Sequence, residues 1–161
     1  VDMWCGNDGR YNGRPNRAVD RTAIEARYGH ISKWDTSRVT NMKNLFMRKT
    51  KFNDDISGWD VSAVTSINDM FLGASAFNGD LSGWDVSAVT DMNSMFCEAA
   101  AFNRDLSRWD VSAVTSMNSM FSRAAEFNGD LSRWNVSAVE SMYDMFHNCP
   151  IIPQYKPKCA L

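Results

Sequence analysis

Residues 77–101, FNGDLSGWDVSAVTDMNSMFCEAAA, run directly into residues 102–126, FNRDLSRWDVSAVTSMNSMFSRAAE, and nineteen of the twenty-five positions are identical. The register extends in both directions: Trp34, Trp59, Trp84, Trp109 and Trp134 stand 25 residues apart, as do Phe46, Phe71, Phe96, Phe121 and Phe146. A fixed period of about 20–50 residues marks a chain whose units cannot bury their own apolar faces and do so against their neighbours. A propeller blade needs about 40 residues for its four strands. Twenty-five residues fit one strand and one helix per coil.

Within a unit the apolar spacing changes midway. Leu81, Trp84 and Val86 are β-prone residues in near alternation, which predicts a short strand, whereas Val89, Met92, Met95, Phe96 and Ala99 recur at three and four, as on a helix. Thr90 suits the start of that helix, with Asp91 in its first turn. The Asn column, Asn53, Asn78, Asn103 and Asn128, falls where the chain turns out of one helix toward the next strand; Asn tolerates left-handed backbone and caps free groups. The Met columns, lying beside Phe and Trp, read as core filler. The expected fold is an α/β solenoid, a leucine-rich-repeat-like right-handed coil of 25-residue strand-helix repeats with an N-terminal capping helix. Residues 1–29 form the cap, in which NRAVDRTAIEARYGHI sets Val19, Ala23, Ile24 and Tyr28 near one side and Gly29 as the stop. The repeats occupy 30–151, a partial one over 30–51 and four starting at 52, 77, 102 and 127. Residues 152–161, where Ile152 and Pro153 replace the expected Phe-Asn, form a capping tail.

The pattern FNxDLSxWDVSxVTxMxxMFxxA over residues 30–151 resembles the BspA-type surface-protein repeat, the DUF285 family. AVDRTAIEARYGHISKWDTSRVTNMKNLF further resembles the lead-in of its algal and protist members. The resemblance implies a leucine-rich-repeat-like solenoid at the cell surface with a role in adhesion or recognition, and it offers no catalytic residues to carry over.

Composition narrows the partners. With 161 residues, 44% of them hydrophobic, the chain has enough apolar material for a core of its own, and a net charge of -2 gives no general attraction to nucleic acid or an anionic membrane. No run of eighteen apolar residues is present to span a bilayer. The opening VDMWCGNDG, without an initiator Met, reads as a trimmed or mature fragment whose targeting segment is not visible. Four cysteines, Cys5, Cys97, Cys149 and Cys159, match no zinc or redox spacing. Cys149 and Cys159 bracket the proline-rich tail CPIIPQYKPKC, so either a disulfide staples it or both remain free thiols.

Stacking places equivalent carboxylates about 4.8 Å apart, so Asp35, Asp60, Asp85 and Asp110 form one ladder, continued by Asn135, and Asp55, Asp80, Asp105 and Asp130 another. Ca²⁺ on Asp60, Asp85 and Asp110 is one way to offset the repulsion. The other is a local cap or Asx turn on the following backbone. Asn135 makes the same cap but offers a cation no charge, which favours the local reading and a protein without cofactors. His30 and His147 are the only histidines and lie at opposite ends, the carboxylates recur in every coil, and no phosphate-binding Gly loop follows a strand, so no catalysis is expected. Variable positions hold specificity: Arg104, Arg108 and Arg133 lie in adjacent coils as a basic patch for an acidic protein or sulfated glycan, or simply as a solvated face. Asn135-Val136-Ser137 is the one N-glycosylation sequon. The expectation is a secreted or surface-located, non-catalytic interaction or adhesion scaffold, with a permanent subunit of a larger assembly and a calcium-dependent repeat protein as alternatives. Ice binding is disfavoured because the expected ladders are Asp and Ser rather than uniform Thr.

Overall fold

The structure is a computed structural model that describes residues 1–5 and 21–158. Its repeats are numbered here from one to five by Trp34, Trp59, Trp84, Trp109 and Trp134.

Side chains that cannot be covered within one repeat are covered by the next. Phe46, Phe71, Phe96, Phe121 and Phe146 form a column of nearly parallel rings with centroids 5.3, 5.6, 5.5 and 5.9 Å apart. Phe52, Phe77, Phe102 and Phe127 form a second at 5.7, 5.9 and 6.0 Å, and facing rings of the two columns, such as Phe96 and Phe102, lie 4.0 Å apart. Trp59, Trp84, Trp109 and Trp134 are each 4% exposed. Each sends its indole N–H back to the preceding repeat, to the carbonyl of Ile31, Ile56, Leu81 or Leu106, at 2.9–3.2 Å. A Trp at this position thus serves twice: its rings fill the core, and its one polar atom joins two repeats without remaining unsatisfied.

The strand-helix solenoid expected from the sequence is not the structure. The segment spaced like a helix, 92–99 in repeat three, is a succession of turns. The N–H groups of Met95, Cys97 and Ala99 bond to the carbonyls of Met92, Ser94 and Phe96, three residues back. The alternate N–H groups, on Met92, Ser94, Phe96 and Glu98, leave the segment for the carbonyls of Ser116, Asn118, Met120 and Ser122 in the next repeat, at 2.8–3.0 Å. An α-helix starting near Thr90 would have used the donors beyond its first turn, those of Ser94, Phe96 and Glu98, internally. Ser94 and Glu98 have φ of 51° and 60°, and the same two columns are left-handed at Asn44 and Arg48, Asp69 and Gly73, Ser119 and Arg123, and Asp144 and Asn148. No right-handed helix passes through such residues. An i to i+3 turn with positive φ at its third residue also returns apolar residues at spacings of three and four, so periodicity alone does not separate the two structures.

The predicted strands are absent as well. Among the described residues β pairing is reduced to isolated parallel bridges, Asn41–Ser66, Ser66–Asp91, Asp91–Ser116 and Ser116–Ser141. The N–H of Thr65, Thr90, Thr115 and Glu140 returns to the Thr carbonyl one repeat earlier. Leu81, Trp84 and Val86 are all buried, but the chain around them turns, and the Trp84 N–H closes on Leu81. The Asn column acts across repeats: Asn53, Asn78 and Asn103 accept, on Oδ1, the backbone N–H of the next Asn at 2.8–3.1 Å, and Asn128 accepts that of Ile152. The expected capping is present. None of these four residues is left-handed.

At the N-terminal end, α1 (Asp2–Cys5) and α2 (Arg21–Tyr28) flank repeat one. Gly29, with φ of 72°, stops α2 and donates its N–H to the Glu25 carbonyl. Of the apolar stripe predicted on α2, Ile24 is half-buried and packs against the core while Tyr28 is exposed; Val19 lies outside the described residues. Trp4 is the larger apolar cover at this end. It is 1% exposed, packs edge-on to His30 and Trp34, and is fixed by Asp54 Oδ2, which accepts its indole N–H at 2.6 Å and pairs with Arg21 at 3.0 Å.

At the other end, the tail covers only half of repeat five. Tyr155 accepts the Leu131 N–H and Ile151 is buried. On the remaining half, the N–H groups of Met142, Asp144, Phe146 and Asn148 have no acceptor among the described residues, although their equivalents in every earlier repeat do. Met142 and Phe146 are half-buried there, while Met117 and Phe121 one repeat earlier are 0% exposed.

Candidate interaction surface

The outward columns are built from a two-residue device, Asp followed two positions later by Ser. In one column Asp35, Asp60, Asp85 and Asp110 accept, on Oδ1, the backbone N–H of Ser37, Ser62, Ser87 and Ser112 at 3.0–3.1 Å. In the other, Asp55, Asp80, Asp105 and Asp130 do the same for Ser57, Ser82, Ser107 and Ser132, each at 2.9 Å. These are Asx turns, in which a carboxylate replaces a backbone acceptor at a bend. Asp85 feels the charges of Asp60 and Asp110. The serine hydroxyl and the backbone N–H nevertheless outweigh that repulsion and hold the carboxyls of the first column below the ordinary aspartate range. In the second column the backbone N–H is the larger cause and the hydroxyl the next. Asp60, Asp85 and Asp110 are exposed, and no group of three His, Cys, Asp or Glu among the described residues is arranged to hold a metal ion.

A dependence on pH follows from the direction of these shifts. An aspartate whose folded pKa is lowered contributes stability above its unfolded value, near 4, and loses it as the pH falls through the lowered folded value. Melting temperature should therefore be level from about pH 7 to pH 5 and fall steadily below about pH 4. Asp85→Asn, which keeps the acceptor and removes the charge as Asn135 does, should reduce the acid sensitivity. A melting temperature unchanged at about pH 3 would contradict the turn electrostatics.

The predicted arginines all lie on the exposed surface, beside the second Asp column. Arg104 acts on Asp80, Arg108 on Asp105 and Arg133 on Asp130, so the patch alternates in sign rather than being purely basic. Arg104 is further tied down, its Nε donating to the Asn78 carbonyl at 2.7 Å. Two columns vary from repeat to repeat, one of Asp54, Gly79, Arg104 and Gly129 and one of Gly58, Gly83, Arg108 and Arg133, and they differ in freedom. A Cβ at Gly79 would meet the Phe77 ring at 2.9 Å and one at Gly129 the Phe127 ring at 3.1 Å, whereas one at Gly83 would meet nothing within 4 Å. Position 58, 83, 108 and 133 is thus the column where an added Cβ meets nothing closer than 3.9 Å at Gly58 and Gly83; its sequence signal is the switch from Gly to Arg. The pair the sequence did not reveal is Arg123 with Glu98, 3.0 Å apart across one junction.

Of the thiols, Cys5, Cys97 and Cys149 are half-buried, and burial raises all three, Cys5 to about 11. Cys149 donates to the Phe127 carbonyl at 3.5 Å; Cys159, its expected disulfide partner, lies outside the described residues. His30 accepts from the Ser32 N–H in repeat one and His147 contacts Asn148 in repeat five, so the structure leaves the two apart.

The family described as "Mycoplasma protein of unknown function, DUF285" matches residues 17–114 and again 81–155. The chain belongs to the DUF285 family. No curated protein and no solved structure matches it. The two matched stretches of this DUF285 chain together span its repeats. No helix among the described residues is long and apolar enough to cross a membrane.

Proposed function

We propose that the chain is a non-catalytic interaction scaffold, secreted or surface-located, that binds an acidic protein or a sulfated glycan across several adjacent repeats. One observation carries the reading. The repeated Trp, Phe, Asp and Ser residues are occupied in stacking and turns, while the column at 58, 83, 108 and 133 is exposed and an added Cβ at Gly58 or Gly83 meets no close neighbour. A rigid row of such positions offers a long surface whose ordering on binding costs little. Replacing Arg104, Arg108 and Arg133 together by Ser should weaken binding and its salt dependence while changing stability by less than about 1 kcal/mol. Unaltered partner binding by the triple variant removes this face from consideration, and turnover of a substrate by the purified protein overturns the scaffold reading.

A second reading, a permanent structural subunit, is favoured by the open half of repeat five, where unpaired donors flank half-buried Met142 and Phe146. It predicts purification inside an assembly, with those amides covered.

A further inference from the structure

We propose that Asn135 is an N-glycosylation site whose side-chain amide accepts an oligosaccharide from a polyprenyl-pyrophosphate donor. Asn135-Val136-Ser137 is the one triplet in the chain of the acceptor form Asn-x-Ser or Asn-x-Thr. The triplet alone is a weak signal. Its conformation adds to it. Asn135 stands where the other repeats have Asp35, Asp60, Asp85 and Asp110, and it makes their turn: Oδ1 accepts the Ser137 N–H at 3.2 Å. Only the oxygen of an amide accepts from an N–H, so this bond fixes which end is which and leaves Nδ2 as the free end. Among the described residues neither Nδ2 nor the Ser137 hydroxyl has a partner.

Exposure and anchoring suit the same role. Asn135 and Ser137 are exposed, while Val136 between them is 6% exposed and holds the triplet to the core. Within the ladder Asp85 lies between Asp60 and Asp110. Asn135, in the last described repeat, has one such neighbour, Asp110, so a bulky sugar meets less of the column. The transfer forms a bond from Nδ2 to the anomeric carbon of the sugar and breaks the bond from that carbon to the pyrophosphate oxygen. The electron pair leaves with the polyprenyl pyrophosphate, one Nδ2 proton passes to a base of the transferase, and nothing is oxidised or reduced. Asn at this one column position retains the turn and gains a nitrogen that aspartate lacks.

The proposal rests on the secreted reading above, and its test separates the two. The full chain, translated behind a cleavable secretion signal with endoplasmic-reticulum microsomes, should show a mobility shift that peptide-N-glycosidase removes, leaving Asp at position 135 by mass spectrometry. N135D and S137A should abolish the shift, and N135D should keep the parent melting temperature because Asp is the residue of the other four repeats. A translocated, folded chain without glycan, beside a glycosylated control protein, overturns the proposal, as does a shift that persists in N135D. A glycan added in microsomes but missing from protein of the native source overturns the secreted reading instead.

Discussion

Trp84→Ala is expected to lower the unfolding free energy by about 3–5 kcal/mol, the usual cost of truncating a large buried aromatic. Trp84 is 4% exposed, and its removal opens a void between repeats two and three that the stacked neighbours on both sides cannot collapse into. The substitution also strips the Ile56 carbonyl of the indole donor that reaches it at 3.2 Å. Trp84→Phe separates these contributions: it retains most of the apolar volume and loses the bond, and should fall between Ala and the parent. Urea unfolding at equilibrium measures all three. A near-neutral Trp84→Ala would show that the repeats do not stack in this register.

Ser94→Pro should cost about 3 kcal/mol or more, and Ser94→Gly should stabilise by up to about 1 kcal/mol. Proline fixes φ near −65° where Ser94 has 51°, and it deletes the N–H that reaches the Asn118 carbonyl at 2.8 Å. Glycine instead removes the Cβ clash of a left-handed residue, partly offset by its greater freedom in the unfolded chain. The sign of the glycine effect is the discriminating measurement. In the interior of a helix, glycine would destabilise by about 0.5 kcal/mol or more, so a lower melting temperature for Ser94→Gly would reject the turn structure.

The period of Trp and Phe was legible because it reports contact between repeats, and contact is what the 25-residue interval brings about. The Asx turns were legible too, since Asn135 replacing Asp retains an acceptor and discards a charge. The helix was misread because Met92, Met95, Phe96 and Ala99 meet the spacing of a helical stripe and of tandem turns equally well. The distinguishing signal lay in the polar positions between them. Asn44, Asp69, Ser94, Ser119 and Asp144 are all short polar residues of modest helix propensity, and Gly73 stands in the other left-handed column. The companions of Gly73 in that column, Arg48, Glu98 and Arg123, hide the signal, for such residues ordinarily avoid left-handed backbone. At the arginine site the sequence located the exposed residues but could not show that Arg108 and Arg133 act on Asp105 and Asp130.

The row of unpaired donors on Met142, Asp144, Phe146 and Asn148 sets the order in which the molecule comes apart. In a one-dimensional array an inner unit is held on two faces and a terminal unit on one. Repeat one is fastened, with Met42 and Phe46 at 1% and 0% exposure, whereas repeat five is half-covered. Among the described residues the four amides of this row at 142–148 have no acceptor, and each repeat removed from that side would leave the one before it with the same four bare amides. For the described repeats, opening is therefore expected to proceed from repeat five toward Trp4.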